Sequence, residues 1–311
     1  MKPNIFLLTI DSLRHDHIDG KRKSAKTPNL DSLIQNGMYF RNNISSSDQT
    51  GTSLASIFTG KYPINSGITQ FNFNFEFTTF FDKLKNLGYN LNSCITDLVI
   101  LKKIVREFDH NLEYTYAEKN AYPHLDDGLG KKILDILSKQ KESKPWIFYC
   151  HLMDLKNPEV SVKIFDDKEY GNTPYDRNLS ILDIWIGKFL KCIDMSNTIF
   201  IITSDHGEYI KSNVNELEKS IRDISKIGKK FSALESIGKK PFAISLKLAK
   251  KIQQGKTDEL TPFEKRNYFL ERAGGELYDD LFKVPLIISG FNINKGKTIS
   301  KLVRHIDIFP I

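Results

Sequence analysis

Apolar runs that hand over directly to polar residues restrict what this chain can fold into. Asn4 to Ile10 (NIFLLTI) is almost unbroken and ends in Asp11-Ser12-Leu13-Arg14-His15-Asp16. Trp146 to Cys150 leads into His151-Leu152-Met153-Asp154, and Thr198 to Thr203 into Ser204-Asp205-His206-Gly207-Glu208. A strand apolar on both faces belongs inside a parallel sheet covered by helices on both sides. Tyr89 to Thr96, Val284 to Ile288 and Leu302 to Ile308 read as further strands. Helices are predicted between them: from Thr27-Pro28 to near Gly37, from Thr79 to Leu87, and from about Asp127 to Gln140. A fourth, Tyr175 to Asp194, carries Leu179, Leu182, Ile186, Leu190 and Ile193 at helical spacing. Thr27 is a cap candidate, with Pro28 at the first helical position. Phe71 to Phe77 (FNFNFEF) alternates like an edge strand or an extended crossing, and residues 98 to 125 carry no legible pattern. Strands alternating with helices predict a three-layer α/β/α sandwich with a largely parallel central sheet. Open sheets of this kind place their sites at the C-terminal strand ends, where the polar residues fall here.

Charge separates one segment from the rest. Between Lys211 and Lys256 stand 12 Lys/Arg against 4 Asp/Glu, a balance of +8, while the whole chain carries +7. The remainder is close to neutral, so the basicity belongs to a helical insertion at about 211–272 within a single domain, 1–311. Its lysines fit the solvated face of surface helices, or a surface that attracts an anionic polymer or lipid headgroup. Nothing in the pattern suggests sequence-specific nucleic-acid binding. No apolar run approaches a membrane span. Met1-Lys2-Pro3-Asn4 enters the first strand too soon for a secretory signal, and a cytoplasmic location is expected. Cys94, Cys150 and Cys192 lie far apart in apolar segments and read as small buried hydrophobes, not a disulfide frame or a zinc site.

Chemistry enters at Ser47 to Pro63 (SDQTGTSLASIFTGKYP), a polar loop followed by a helix from about Thr52 to Phe58 and stopped by Gly60 and Pro63. Thr50 falls at or just before the helix N-terminus, where the dipole favours an anion. Either Thr50 or Thr52 caps the helix, or Thr50 offers a hydroxyl to a phosphate or sulfate ester. Asp11, Thr50, Asp205 and His206 come from three separate loops. Two carboxylates, an imidazole and a hydroxyl can hold one divalent ion: the mixed set suits Zn²⁺ or Mn²⁺, with Ca²⁺ or Mg²⁺ as alternatives. A metal on the hydroxyl would lower its pKa and take charge from the ester.

The ordered motifs resemble the sulfatase family of the alkaline phosphatase superfamily. Asn4 to Asp16 resembles its opening strand and acidic turn, Thr27-Pro28-Asn29-Leu30-Asp31 a helix start, and Thr50 to Pro63 its nucleophile loop. His151-Leu152-Met153-Asp154, Tyr175-Asp176, Ser204 to Glu208, Leu277 to Ile287 and His305 to Pro310 match later blocks in order. The resemblance implies an alkaline-phosphatase-like fold and a metal-dependent hydrolase or transferase acting on sulfate or phosphate esters. Asp11, Thr50, Asp205 and His206 are the implied metal ligands, and Thr50 is the implied nucleophile.

Several positions depart from the family pattern. Formylglycine sulfatases carry Cys or Ser at the Thr50 position, followed by Pro and Arg where Thr52 and Leu54 stand. Threonine cannot become formylglycine, so none is expected; a Thr nucleophile resembles phosphoethanolamine and lipoteichoic-acid-type transferases. Ser12 replaces a second acidic residue, and Lys156 stands where the family often has histidine. Ala273 occupies a usually basic position, with Arg272 beside it. Lys156, His151 and Arg272 are candidate substrate-binding residues, although His151 and His305 also read as structural histidines. The expected partner is an anionic ester, with a glycan or lipid headgroup as candidate. The other reading is a catalytically degenerate member that binds an anionic glycan, lipid headgroup or protein. Oligomeric state has no signature in the sequence.

Overall fold

The computed structural model describes residues 2–69, 72, 78–115, 125–140, 144–156, 167–210 and 277–309. The described fold belongs to one compact unit, Met1–Glu208 with Arg272–Ile311. A second unit, Tyr209–Glu271, lies almost entirely outside the described residues. The basic insertion expected at about 211–272, Arg272 and nearly all of the Phe71–Phe77 segment also lie outside them.

The strands are β1 (Asn4–Ile10), β2 (Met38–Ile44), β3 (Asn90–Thr96), β4 (His110–Tyr114), β5 (Trp146–Leu152), β6 (Thr198–Thr203), β7 (Lys283–Gly290) and β8 (Lys297–Arg304). They form one sheet in the order β4-β3-β5-β1-β6-β7-β2-β8. Only β7 runs against its neighbours, pairing antiparallel with β6 and β2. The central place of β1 follows from its sequence: Phe6, Leu7, Leu8 and Ile10 are all fully buried.

The helices are α1 (Pro28–Asn36), α2 (Thr50–Thr59), α3 (Pro63–Ser66), α4 (Phe80–Asn86), α5 (Val99–Ile104), α6 (Leu129–Ser138), α7 (Pro174–Cys192) and α8 (Asp279–Phe282). Among the described residues, none is long and apolar enough to cross a membrane. Thr79 forms a reciprocal capping box with Asp82 at the start of α4. Thr27 makes no such bond. Asp183 on α7 accepts from Asn29 N (3.1 Å) and Leu30 N (2.7 Å) instead, so α1 is capped by its packing partner.

On one side of the sheet α2 inserts Leu54, Ile57 and Phe58 into a core shared with Phe81, Tyr149 and Phe309. The rings of Phe58 and Tyr149 meet edge to face at 5.0 Å. On the other side, Phe6 packs between Phe148 and Phe200 and against Phe189 of α7. The cysteine expectation holds for Cys94 and Cys150 but not for Cys192, which is exposed because it is the last residue of α7.

Candidate active site

The site is built where β1, β5 and β6 end. Asp11 follows β1, and its N–H donates to Leu152 O of β5 at 2.8 Å. The next residue, Ser12, adopts a left-handed conformation (φ 68) that costs a non-glycine residue roughly 1–2 kcal/mol. Tyr175 of α7 holds this turn, donating to Ser12 O and accepting from Arg14 N, both at 2.9 Å. Ser12 Oγ, in the position of the missing acid, donates to Asp11 Oδ1 at 2.6 Å and so fixes the carboxylate that remains.

Arg14 is 1% exposed and ties the turn to two later segments. Its guanidinium donates to Glu208 O at 2.8 Å, to both Asp16 oxygens and to Asp280. Burial works against the Asp16 carboxylate, but hydrogen bonds and charge from Arg14 and Arg22 hold it below the usual range.

Thr50 is the first residue of α2, two residues earlier than the sequence places the helix start. No side chain caps α2; Ser53 N donates to Gln49 O at 2.9 Å, the first bond of the helix. Neither Thr50 nor Thr52 is the cap. Thr50 Oγ1 instead donates to Asp11 Oδ2 at 3.1 Å and lies 3.1 Å from His206 Nε2.

Asp205 and His206 follow β6. His206 Nδ1 is 2.8 Å from Gly207 O, which can only accept, so Nδ1 carries the proton. Nε2 then presents a lone pair toward Thr50 Oγ1 and toward Asp205 Oδ2 at 3.2 Å. Gly207 N donates to Leu281 O at 2.7 Å, and a Cβ on Gly207 would sit 1.9 Å from Asp280 O. The glycine of Asp-His-Gly is therefore required by the close passage of the α8 backbone.

Behind the site, Asp205 O accepts from Ser45 Oγ (2.6 Å) and Ser53 Oγ (2.5 Å). Having donated there, Ser53 accepts from His305 Nδ1 at 2.8 Å. Ser45 and Ser53 are not singled out by sequence reasoning. The available signal was Ser53, one helical turn after Thr50 on the same face.

Among the residues read as substrate-binding, Lys156 enters the site, its Nζ 3.2 Å from Asp11 Oδ2 and its side chain 25% exposed. His151, one residue before the end of β5, is fully buried, with Nδ1 2.8 Å from Thr9 Oγ1. Its Nε2 has no hydrogen-bond partner among the described residues. Burial pushes the imidazole down to about 4, so the ring is neutral at neutral pH. Ligand atoms of Asp11, His151 and Asp205 lie within 4.8 Å of one another. The donor set fits a divalent ion: buried carboxylates of opposite charge, an imidazole lone pair with a fixed tautomer, and a buried orphan nitrogen.

Two further histidines set a pH dependence. Burial pushes His15 down to about 4 and His305 to about 3, with the nearby Lys283 and His206 respectively acting in the same direction. An unfolded histidine titrates near 6.5, so the unfolded chain binds these protons first as pH falls. With His151 counted beside them, stability should therefore fall from about pH 6.5 toward pH 4, by up to roughly 4 kcal/mol per pH unit for three protons. Urea midpoints at pH 7 and pH 5 measure this; equal midpoints would mean that none of the three rings is held neutral by the fold.

Taken with this geometry, the relatives give the class. The chain belongs to the Sulfatase family, whose model matches residues 3–311. Its fold is that of the alkaline phosphatase superfamily. It superposes on the phosphonate monoester hydrolase of Agrobacterium radiobacter with a TM-score of 0.68, covering 99% of this chain and 72% of that one at 14% identity. The lipoteichoic acid synthase LtaP from Listeria monocytogenes superposes with a TM-score of 0.60, covering 99% and 70% at 16% identity. At such identities the likeness is one of fold. An uncharacterized protein of Haemophilus influenzae is 27% identical over 212 residues, 66% of this chain and 32% of its own length. The multifunctional alkaline phosphatase superfamily protein PehA of Trinickia caryophylli is 35% identical over 75 residues, 22% of this chain and 15% of its own. This chain thus matches a third or less of those two proteins.

Proposed function

We propose that this chain is a metal-dependent hydrolase or transferase of phosphate or sulfate esters in which Thr50 is the covalent nucleophile. The placement of Thr50 Oγ1 carries the reading: it leaves the helix uncapped and lies 3.1 Å from both Asp11 Oδ2 and His206 Nε2. Asp11, Thr50, Asp205 and His206 would hold one divalent ion. Such an ion would lower the hydroxyl's pKa and take charge from a non-bridging ester oxygen.

Thr50 Oγ1 attacks phosphorus or sulfur, and the bond to the departing alkoxide breaks as the new one forms. The hydroxyl proton leaves along the hydrogen bond to Asp11 Oδ2, and the alkoxide takes a proton from solvent. Lys156 Nζ sets a cation beside the ester's remaining oxygens. Water or an acceptor hydroxyl then attacks the same centre and gives its proton to solvent. The bond to Thr50 Oγ1 breaks, and that oxygen takes back the proton held by Asp11 Oδ2. Water gives hydrolysis; an acceptor hydroxyl gives transfer. That a hydrolase and a synthase share this fold supports the reaction class.

The test is a screen of purified protein against phosphomonoester, phosphodiester and sulfate-ester model substrates with Zn²⁺, Mn²⁺, Ca²⁺ and Mg²⁺. Turnover is expected with at least one pairing, and a chelator should abolish it. No turnover in any pairing would transfer the site to the non-catalytic reading, in which it binds an anionic glycan, headgroup or protein.

A further inference from the structure

We propose that His151 is a ligand of the same centre, held in the binding tautomer by Thr9, so that the centre takes a zinc-like ion in preference to Ca²⁺ or Mg²⁺. The inference rests on the metal-dependent reading above and adds to it a ligand and a metal class.

The parallel register of β1 and β5 sets Thr9 directly beside His151. Both side chains are fully buried. Thr9 Oγ1 lies 2.8 Å from His151 Nδ1, 3.2 Å from Tyr149 Oη and 3.4 Å from Cys150 O. The Thr9 hydroxyl has one proton. Given to the Tyr149 oxygen or the Cys150 carbonyl, it leaves a lone pair that accepts from Nδ1–H, and Nε2 is then unprotonated. The opposite tautomer would bury an Nε2–H with no acceptor among the described residues. A buried polar atom left without a partner costs roughly 1–3 kcal/mol. One ring nitrogen of His151 and carboxylate oxygens of Asp11 and Asp205 lie within 4.8 Å of one another, and Nδ1 is already engaged by Thr9. An ion bound between them would satisfy Nε2.

The consequence is selectivity. Asp11, Asp205 and Thr50 alone would be an oxygen set of the kind that Ca²⁺ and Mg²⁺ accept. Adding the imidazoles of His206 and His151 makes a mixed nitrogen and oxygen set, which favours Zn²⁺ or Co²⁺.

Metal titrations of the full chain by calorimetry, with Zn²⁺, Co²⁺, Mg²⁺ and Ca²⁺ as probes, test this. The parent should bind Zn²⁺ and Co²⁺ more tightly than Mg²⁺ and Ca²⁺. His151→Ala should weaken Zn²⁺ binding roughly 100-fold and Thr9→Val roughly tenfold, since partners behind a ligand are alone worth about 10–100-fold. Any Mg²⁺ affinity should be unchanged. X-ray absorption at the zinc edge of the parent, which needs no variant to fold, should count two imidazoles. A single imidazole, or unchanged Zn²⁺ affinity in folded His151→Ala, overturns the role of His151 and leaves the metal reading standing. A parent that binds none of the four ions overturns both.

Discussion

Thr50→Val should abolish turnover, by roughly 10³-fold or more, while Thr50→Ser keeps a measurable fraction. Valine reproduces the shape of threonine without an attacking oxygen, and serine keeps the oxygen without the methyl. The stability of the two variants should lie within about 1 kcal/mol of the parent, because Thr50 does not cap α2. That separation distinguishes a nucleophile from a structural residue. A cap would show the reverse: lost stability and retained rate. Rates of the substrate found in the screen, measured beside melting temperatures, decide it. Parent-like turnover in Thr50→Val would sink the covalent mechanism.

Gly207→Ala should be among the most damaging single methyls at the described glycines. The added carbon would lie 1.9 Å from Asp280 O, and backbone on both sides leaves nothing flexible to yield. The loop must move, and with it Asp205 and His206. A loss of about 3 kcal/mol or more is expected, seen as a fall in melting temperature on the order of 10 °C. Metal affinity should fall with it, because the two proposed ligands, Asp205 and His206, precede the displaced residue. Calorimetric titration below the variant's melting range tests that second part. Parent-like affinity there would show that the loop absorbs the methyl without moving its ligands.

The parts of this fold that sequence shows are those governed by local pattern. β1 and β6 read with correct bounds because central strands are apolar throughout, and Gly60 ends α2 in the left-handed conformation its position calls for. β2 was not legible. Arg41, Asn42 and Asn43 interrupt its apolar residues, and the pairing with β7 shifts register between Phe40 and Asn43. α5 and β4 were hidden in the 98–125 stretch, where β4 is a short edge strand with mostly exposed side chains. Capping of α1 by Asp183 lay beyond reach because the partner is 153 residues away. The same holds at the site. Asp11, Thr50, Asp205 and His206 could be read from the ends of their elements. The orphaned nitrogen of His151 could not, since it depends on which strand lies beside β5.

The strand order also decides when this protein can become competent. The described partners of β2 are β7 and β8, both made from residues after 282, and its end leads to Thr50. A ribosome-bound chain that has emerged only as far as Glu208 already holds Asp11, Asp205 and His206, yet β2 has no neighbour to join. The proposed attacking group, Thr50, would then be fixed in place only after the strands that follow residue 282 have formed. On the proposed mechanism, a nascent chain is therefore expected to stay inert until β7 and β8 have emerged.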